Sequence, residues 1–299
     1  ELLVENVHPI VDFTYSPLTP IENEDISFNG TSEDLDGYVV NWTWEFEDGI
    51  VNYSQNFSHS FTVFDSYYVN LTVKDDDGDT SSMNKTIVMK NTTTNETNPG
   101  NLTTVNLTNE FNIIVKINTS ETTNVNISKY SGNPSTKNTS SVNSVGKYYE
   151  IQIENDSTVE WPVNITIFYT NEDLNNASLQ ESQLLGLYYF DDAAQRWELY
   201  ETTGVNSNYQ SSGYEGFIWA EVTHFTNVTP GGDHISPSNI TGLTVTDTEE
   251  GGTLDLSWNE ANDNTGISYS ASKISAPFSI SVSPVKNSSS SSETLTIST

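Results

Sequence analysis

The stretch Trp42-Thr43-Trp44-Glu45-Phe46-Glu47-Asp48-Gly49 decides the fold. Side chains of an extended chain alternate between two faces, so the three aromatics share one face while Thr43, Glu45 and Glu47 take the other. Asp48-Gly49 then ends the strand in a turn. One apolar face backed by one polar face is half of a β-sandwich core.

The flanking sequence repeats the pattern. Val11-Asp12-Phe13-Thr14-Tyr15-Ser16 and Ile26-Ser27-Phe28-Asn29 alternate on either side of a Pro-containing turn, and Tyr67 to Val73 and Met83 to Met89 alternate around Asp75-Asp76-Asp77-Gly78-Asp79. Short strands at this spacing read as a sandwich. Four ordered motifs also carry a family resemblance: Asp34-Leu35-Asp36-Gly37, Trp44-Glu45-Phe46-Glu47-Asp48-Gly49, His59-Ser60-Phe61 and Val69-Asn70-Leu71-Thr72-Val73-Lys74-Asp75. With these the segment resembles a PKD domain, an Ig-like module, over little more than a quarter of the chain. The resemblance implies a spacer, adhesive or surface-building role without catalysis. Two positions depart from the family pattern: Glu47 stands where the family has Gly, and Phe64-Asp65-Ser66 replaces a Pro-Gly turn.

A chain of 299 residues suits two or three domains of about 100 residues each. The expected fold class is all-β, as tandem Ig-like β-sandwich modules. Residues 1–90 are read as the PKD-like sandwich. Residues 91–108 are Asn, Thr, Pro and Gly with Leu102, Val105 and Leu107 the only sizeable apolar side chains, and read as a linker. Residues 109–229 read as a second sandwich, with strands expected at 111–117, 148–153, 163–169, 185–190, 197–200 and 216–225, and a helical turn or two between Asn171 and Gln183. Its ending, with Thr223-His224-Phe225-Thr226 as a strand, resembles modules recurrent in prokaryotic surface proteins. Residues 230–269, with Pro237 to Val245, Leu254 to Trp258 and Asp263 to Ile267, resemble the first third of a fibronectin type III domain. Residues 270–299 form a Ser-rich tail whose alternating stretches, Phe278 to Val282 and Leu295 to Ile297, are candidate donor strands for a neighbouring subunit.

Composition narrows the function. A formal charge of −31, from 10 basic and 41 acidic residues, disfavours nucleic acid and anionic membrane surfaces as partners. No run of about 18 apolar residues exists to insert in a membrane. Glu1 is no initiator residue, so a longer precursor is expected. Zero cysteines leave stability to burial, metal or assembly. No catalytic constellation is present: there is no Gly-x-Ser-x-Gly, and His8, His59, His224 and His234 lack a metal-binding spacing. An enzyme is not expected. No cofactor is indicated other than calcium, for which Asp34, Asp36, Asp75, Asp77 and Asp79 supply hard oxygen ligands; solvated acidic turns are the alternative.

Asn-x-Ser/Thr sequons begin at Asn29, Asn41, Asn52, Asn56, Asn70, Asn84, Asn91, Asn95, Asn101, Asn106, Asn118, Asn126, Asn138, Asn155, Asn164, Asn176, Asn227, Asn239 and Asn287. Those 19 are about twice the number that 34 Asn would give by chance. Alternating strands written in Asn and Thr create some automatically, but sequons also crowd 91–108. The expectation is therefore an archaeal-type, extracellular cell-surface glycoprotein. It would be the structural subunit of a surface layer, sheath or filament, self-associating by β-strand addition. Two alternatives stand beside it. One is an adhesive or carbohydrate-binding stalk using Tyr188, Tyr189 and Tyr209; the other is the accessory region of a secreted hydrolase.

Overall fold

A computed structural model describes residues 6–134, 142–209 and 213–232, together with the backbone of five strands beyond them. The chain is all-β in architecture. Its first unit has β1 (Phe13–Ser16), β2 (Ile26–Gly30), β3 (Val39–Phe46), β4 (Val51–Asn52), β5 (Asn56–His59), β6 (Ser66–Asp75) and β7 (Thr80–Val88). These form two facing sheets, ordered β1-β2-β5 and β4-β3-β6-β7. Trp44 is fully buried between them. Its ring meets those of Phe13 at 5.0 Å, Phe57 at 5.3 Å and Phe28 at 5.9 Å, and its indole nitrogen donates to the Ser54 carbonyl at 2.9 Å. The wide aromatic body fills the core while the one polar atom is satisfied. Phe46 is buried beside it and Trp42 half-buried, so the three alternating aromatics do share a face. Gly30 makes room for Trp42, because a Cβ there would lie 2.2 Å from the indole ring.

Glu47 fits its position without a glycine. The left-handed residue of the turn is Gly49, at φ 87, and the Glu47 carboxylate accepts from the Tyr68 amide at 2.9 Å. Asp48 holds His59 at 2.8 Å and accepts from the Ile50 amide, which fastens the turn to the opposite sheet.

The second unit begins without an interval. The stretch 91–108, expected as a linker, instead supplies β8 (Lys90–Glu96) and β9 (Thr103–Leu107). Polar residues there form strands because partners pair with both: β8 runs antiparallel to β11 (Asn124–Tyr130) and β9 to β10 (Ile113–Thr119). On the outer face Thr92 bonds Ser128 at 2.8 Å and Thr94 donates to Asn126 at 2.7 Å, so hydroxyl and amide ladders replace apolar contacts. The remaining elements are β12 (Asn143–Ser144), β13 (Tyr148–Ile153), β14 (Val159–Tyr169), α1 (Asn171–Asn176), β15 (Leu184–Asp191), β16 (Arg196–Leu199), β17 (Thr203–Asn206), β18 (Gly216–Val222) and β19 (Asn227–Gly232). One sheet is ordered β17-β18-β14-β10-β9; the other is β16-β15-β19-β13-β11-β8, with β12 beside β19. Ile113, Val115, Ile165, Ile167 and Ile218 from the first pack against Ile127, Tyr149, Ile151 and Leu187 from the second. Strand β18 stops at Val222, so Thr223-His224-Phe225-Thr226 is the crossing between the sheets and not a strand.

Beyond residue 232 the described backbone comprises β20 (Thr241–Asp247), β21 (Thr253–Asn259), β22 (Ser268–Lys273), β23 (Ile280–Val285) and β24 (Leu295–Ser298). Of the two candidate donor stretches, 295–297 pairs within the chain as part of β24, against β21; 280–282 does so in β23, against β22, while Phe278 and Ser279 lie outside the described residues.

The joint between the first two units is one extended segment. Ile87 and Met89 point into the first core, Val88 packs instead against a cluster of the second unit that includes Tyr130, Tyr148 and Trp197, and Lys90 already belongs to β8. Ser131 locks the segment: its amide donates to the Met89 carbonyl at 3.0 Å, and its hydroxyl accepts from the Met89 amide at 2.9 Å and meets Ser66 Oγ at 3.0 Å. Replacing Ser131 by Ala leaves the shielded Met89 amide unpaired. This substitution is expected to cost about 1–3 kcal/mol, read as a lower urea midpoint at unchanged slope.

Candidate metal centre

The acidic loops before β3 and between β6 and β7 lie at the same end of the first sandwich, and the incoming chain at residues 6–8 crosses them. Asp75, buried at the end of β6, accepts from the amides of Gly78 at 2.6 Å and Asp79 at 2.7 Å through Oδ1. Asn6 bridges the loop, its amide nitrogen donating to Asp79 Oδ2 at 3.0 Å and Asp75 Oδ2 at 3.3 Å. Asp36 accepts from the Val7 amide at 3.1 Å, and Asp76 from the Tyr38 amide at 2.8 Å. Gly37 permits the approach: a Cβ there would stand 2.1 Å from Asp76 Oδ1 and 2.7 Å from Asp34 Oδ2.

Four of the five residues expected from the sequence, Asp34, Asp36, Asp75 and Asp79, therefore belong to one neighbourhood. Asp77 does not; both it and Asp76 are exposed, and it is Asp76 that reaches across to the Tyr38 amide. Asn6 was missed, because a lone Asn ahead of the first strand carries no pattern. Two oxygens, Asn6 Oδ1 and Asp34 Oδ1, are shielded from solvent with no hydrogen-bond donor. Desolvation first, then Asp36 and Asp75, push the Asp34 carboxyl up from its usual range. Among the described residues no three acidic or His side chains stand as a ready-made metal cage. The orphaned oxygens stand among clustered carboxylates, with the exposed His8 ring 3.5 Å from Asp79.

The second unit offers a different feature. The ladder between β13 and β19 ends at Glu150 and Asn227, and beyond it opens a cleft of about 890 Å³ lined by Glu150, Glu154, Asp156, Trp161, His224 and Phe225. The Trp161 and Phe225 rings meet at 4.9 Å. Of the aromatics expected to be exposed, Tyr188 is buried and Tyr189 is half-buried against Tyr200 and His224, while Tyr209 is exposed with its ring edge on Phe168 and Phe217. No helix among the described residues is long and apolar enough to cross a membrane.

Residues 6–90, which hold the first sandwich, match the family model described as PKD domain. Collagenase ColQ1 of Bacillus cereus is 35% identical over 98 residues, which are 32% of this chain and 10% of that protein. The pre-pro-metalloprotease PrtV of Vibrio cholerae is 32% identical over 87 residues, 29% of this chain and 9% of that one. The chain thus spans about a tenth of the length of the curated relatives it matches. Among solved structures, the PKD1 domain of Vibrio anguillarum Epp is 32% identical, with 27% of this chain and 93% of that one covered, at a TM-score of 0.25.

The sequons differ in access. Asn29, Asn41, Asn56, Asn84, Asn91, Asn101, Asn106, Asn155, Asn164 and Asn176 are exposed; Asn52, Asn70, Asn95, Asn118, Asn126 and Asn227 are partly covered; Asn138, Asn239 and Asn287 lie outside the described residues. At Asn95 the amide nitrogen itself is buried in β8. Peptide mapping of the native protein is expected to find Asn95 unmodified even where Asn91 carries glycan, and glycan on Asn95 would contradict the pairing of β8 with β11.

Proposed function

We propose that this chain is a non-catalytic structural segment of an extracellular protein, in which a calcium-stabilised PKD module is joined stiffly to a second sandwich. The observation that carries the reading is the joint at Met89, where one strand passes directly between two cores. A spacer needs a fixed distance and angle, and a joint tied by Ser131 and Ser66 supplies both. On this reading the PKD unit runs through Met89 and the second sandwich from Lys90 to Gly232, with the fibronectin type III-like segment after it. The exposed sequons and the charge of −31 suit a hydrated, glycan-bearing exterior.

Assembly into a surface layer, sheath or filament is the finer form of this role. It requires self-association, and strand exchange through the tail would first have to break the β21–β24 or β22–β23 pairing. Electron microscopy of the native protein is the test: ordered polymers support the assembly, and single elongated particles restrict the role to a spacer. A second reading, the accessory region of a secreted hydrolase, is favoured by the names of the relatives, a collagenase and a metalloprotease. A third, an adhesive module, rests on the cleft, where Trp161 at 37% exposure offers a ring to a sugar face and Glu150 and Glu154 offer acceptors to hydroxyls. Glycan-array binding lost in Trp161→Ala would select it.

Calcium at the PKD loops would be held by Asn6, Asp34, Asp36, Asp75 and Asp79, and would relieve the crowding of their charges. At a free concentration one hundred times Kd it is expected to add about 2.7 kcal/mol to stability. The corresponding rise in Tm over EGTA-treated protein should shrink in Asn6→Ala. Equal Tm with calcium and with EGTA would sink the calcium assignment.

A further inference from the structure

One end of the second sandwich gathers an amine, an amide and a carboxyl group, the amine buried and the other two partly covered. Lys147 immediately precedes β13; its side chain is 8% exposed, and Nζ lies 2.6 Å from Asp173 Oδ1 on α1. Asn112 immediately precedes β10 in the opposite sheet, at φ 62. With its amide nitrogen donating to Tyr214 Oη at 2.8 Å and the Thr108 carbonyl at 3.1 Å, its oxygen accepts from Lys147 Nζ at 3.2 Å. Asp173 is fixed in turn, since Oδ2 accepts from the Thr170 amide at 2.7 Å and hydroxyl at 2.9 Å. Tyr149, fully buried, closes the site from the core and donates to the Phe111 carbonyl.

Nζ and Oδ1 stand close enough for a proton to pass directly from Lys147 to Asp173, which leaves the amine neutral. A neutral amine is a nucleophile. The carbonyl carbon of a primary amide is an electrophile whose slow reaction in water is offset when nucleophile and proton carrier are held against it. Packing alone would explain a buried Lys–Asp pair. It does not explain why the second contact of the same amine is a side-chain amide anchored at its far end by Tyr214 and Thr108.

The geometry points to a self-formed isopeptide bond between Lys147 Nζ and Asn112 Cγ, with Asp173 as the catalytic proton carrier. The neutral amine adds to Cγ, leaving a cationic nitrogen and an anionic oxygen on one carbon, beside an Asp173 carboxyl that holds the proton Lys147 gave up. Asp173 then gives its proton to the departing nitrogen and takes one from the attacking nitrogen. The Cγ–Nδ2 bond breaks, ammonia leaves, and Asp173 ends as it began. No oxidant, metal or second substrate enters the balance. The product ties the start of β13 in one sheet to the start of β10 in the other, a covalent staple in a chain without cysteine.

Mass spectrometry of the full chain, produced in a host that adds no N-glycan, tests this directly. The expected mass falls short of the sequence by one ammonia, about 17 Da, and proteolysis yields a branched peptide joining the segment of Asn112 to that of Lys147. Lys147→Arg and Asp173→Asn, checked for folding by circular dichroism, should show the full mass. The unmodified sequence mass in the wild-type protein would overturn the proposal without reliance on any variant. So would a loss of water, about 18 Da, which makes Asp173 the acceptor, or an ammonia loss without a branched peptide, which is succinimide chemistry. A folded Asp173→Asn protein that still forms the bond would remove Asp173 from the reaction.

Discussion

Successive side chains of a strand must point to opposite faces, and the structure depends on how this constraint is met at residues 87–90. Ile87 and Met89 are committed to the PKD core, so Val88 is forced outward, and an isolated module would leave it in water. Here the second unit covers it, and Lys90 starts the first strand of that unit. One segment thus serves two cores, and neither ends where the other begins. The hydrogen bonds of Ser131 follow from the same constraint, since the Met89 amide and carbonyl lie past the end of the β6–β7 ladder and need partners from elsewhere.

Much of the PKD module is legible in the sequence, because its strands alternate large aromatic and polar residues and its turns carry Gly and Asp. Trp44, Phe46, Phe28 and Val69 sit where the alternation puts them. The two departures from the family pattern look like defects in one dimension and acquire partners in three. Glu47 binds the Tyr68 amide, and Phe64-Asp65-Ser66 lies at the docking edge, with Ser66 against Ser131 and the Lys129 ammonium 6.0 Å from the Phe64 ring. The acidic site is legible in part. Four aspartates announce themselves by clustering, but Asn6 reaches them only through the crossing of the chain.

What could not be read was the structure of the polar stretch 91–108. Strand reading relies on apolar alternation, and β8 has none: Lys90, Asn91, Thr92, Thr93, Thr94, Asn95 and Glu96 are all polar. The strand exists because β11 offers a complete ladder and because Thr and Asn side chains bond across it, a tertiary cause with no local signature. The Thr-His-Phe-Thr crossing failed for the converse reason. It carries strand-like composition, yet the chain must leave one sheet there to enter the other.

The shared segment at Met89 also sets how the molecule would bear tension. A pull on the chain passes from β7 to β8 through one extended stretch with no slack to take up, and arrives at both ladders along the strand axis. Bonds loaded in that direction must give way together, whereas peeling would open them singly. Resistance to stretching is then a matter of unfolding rate and not of equilibrium stability. In mechanical terms the joint is a rivet between two plates, and the first extension on the way to rupture would come from within the sheets.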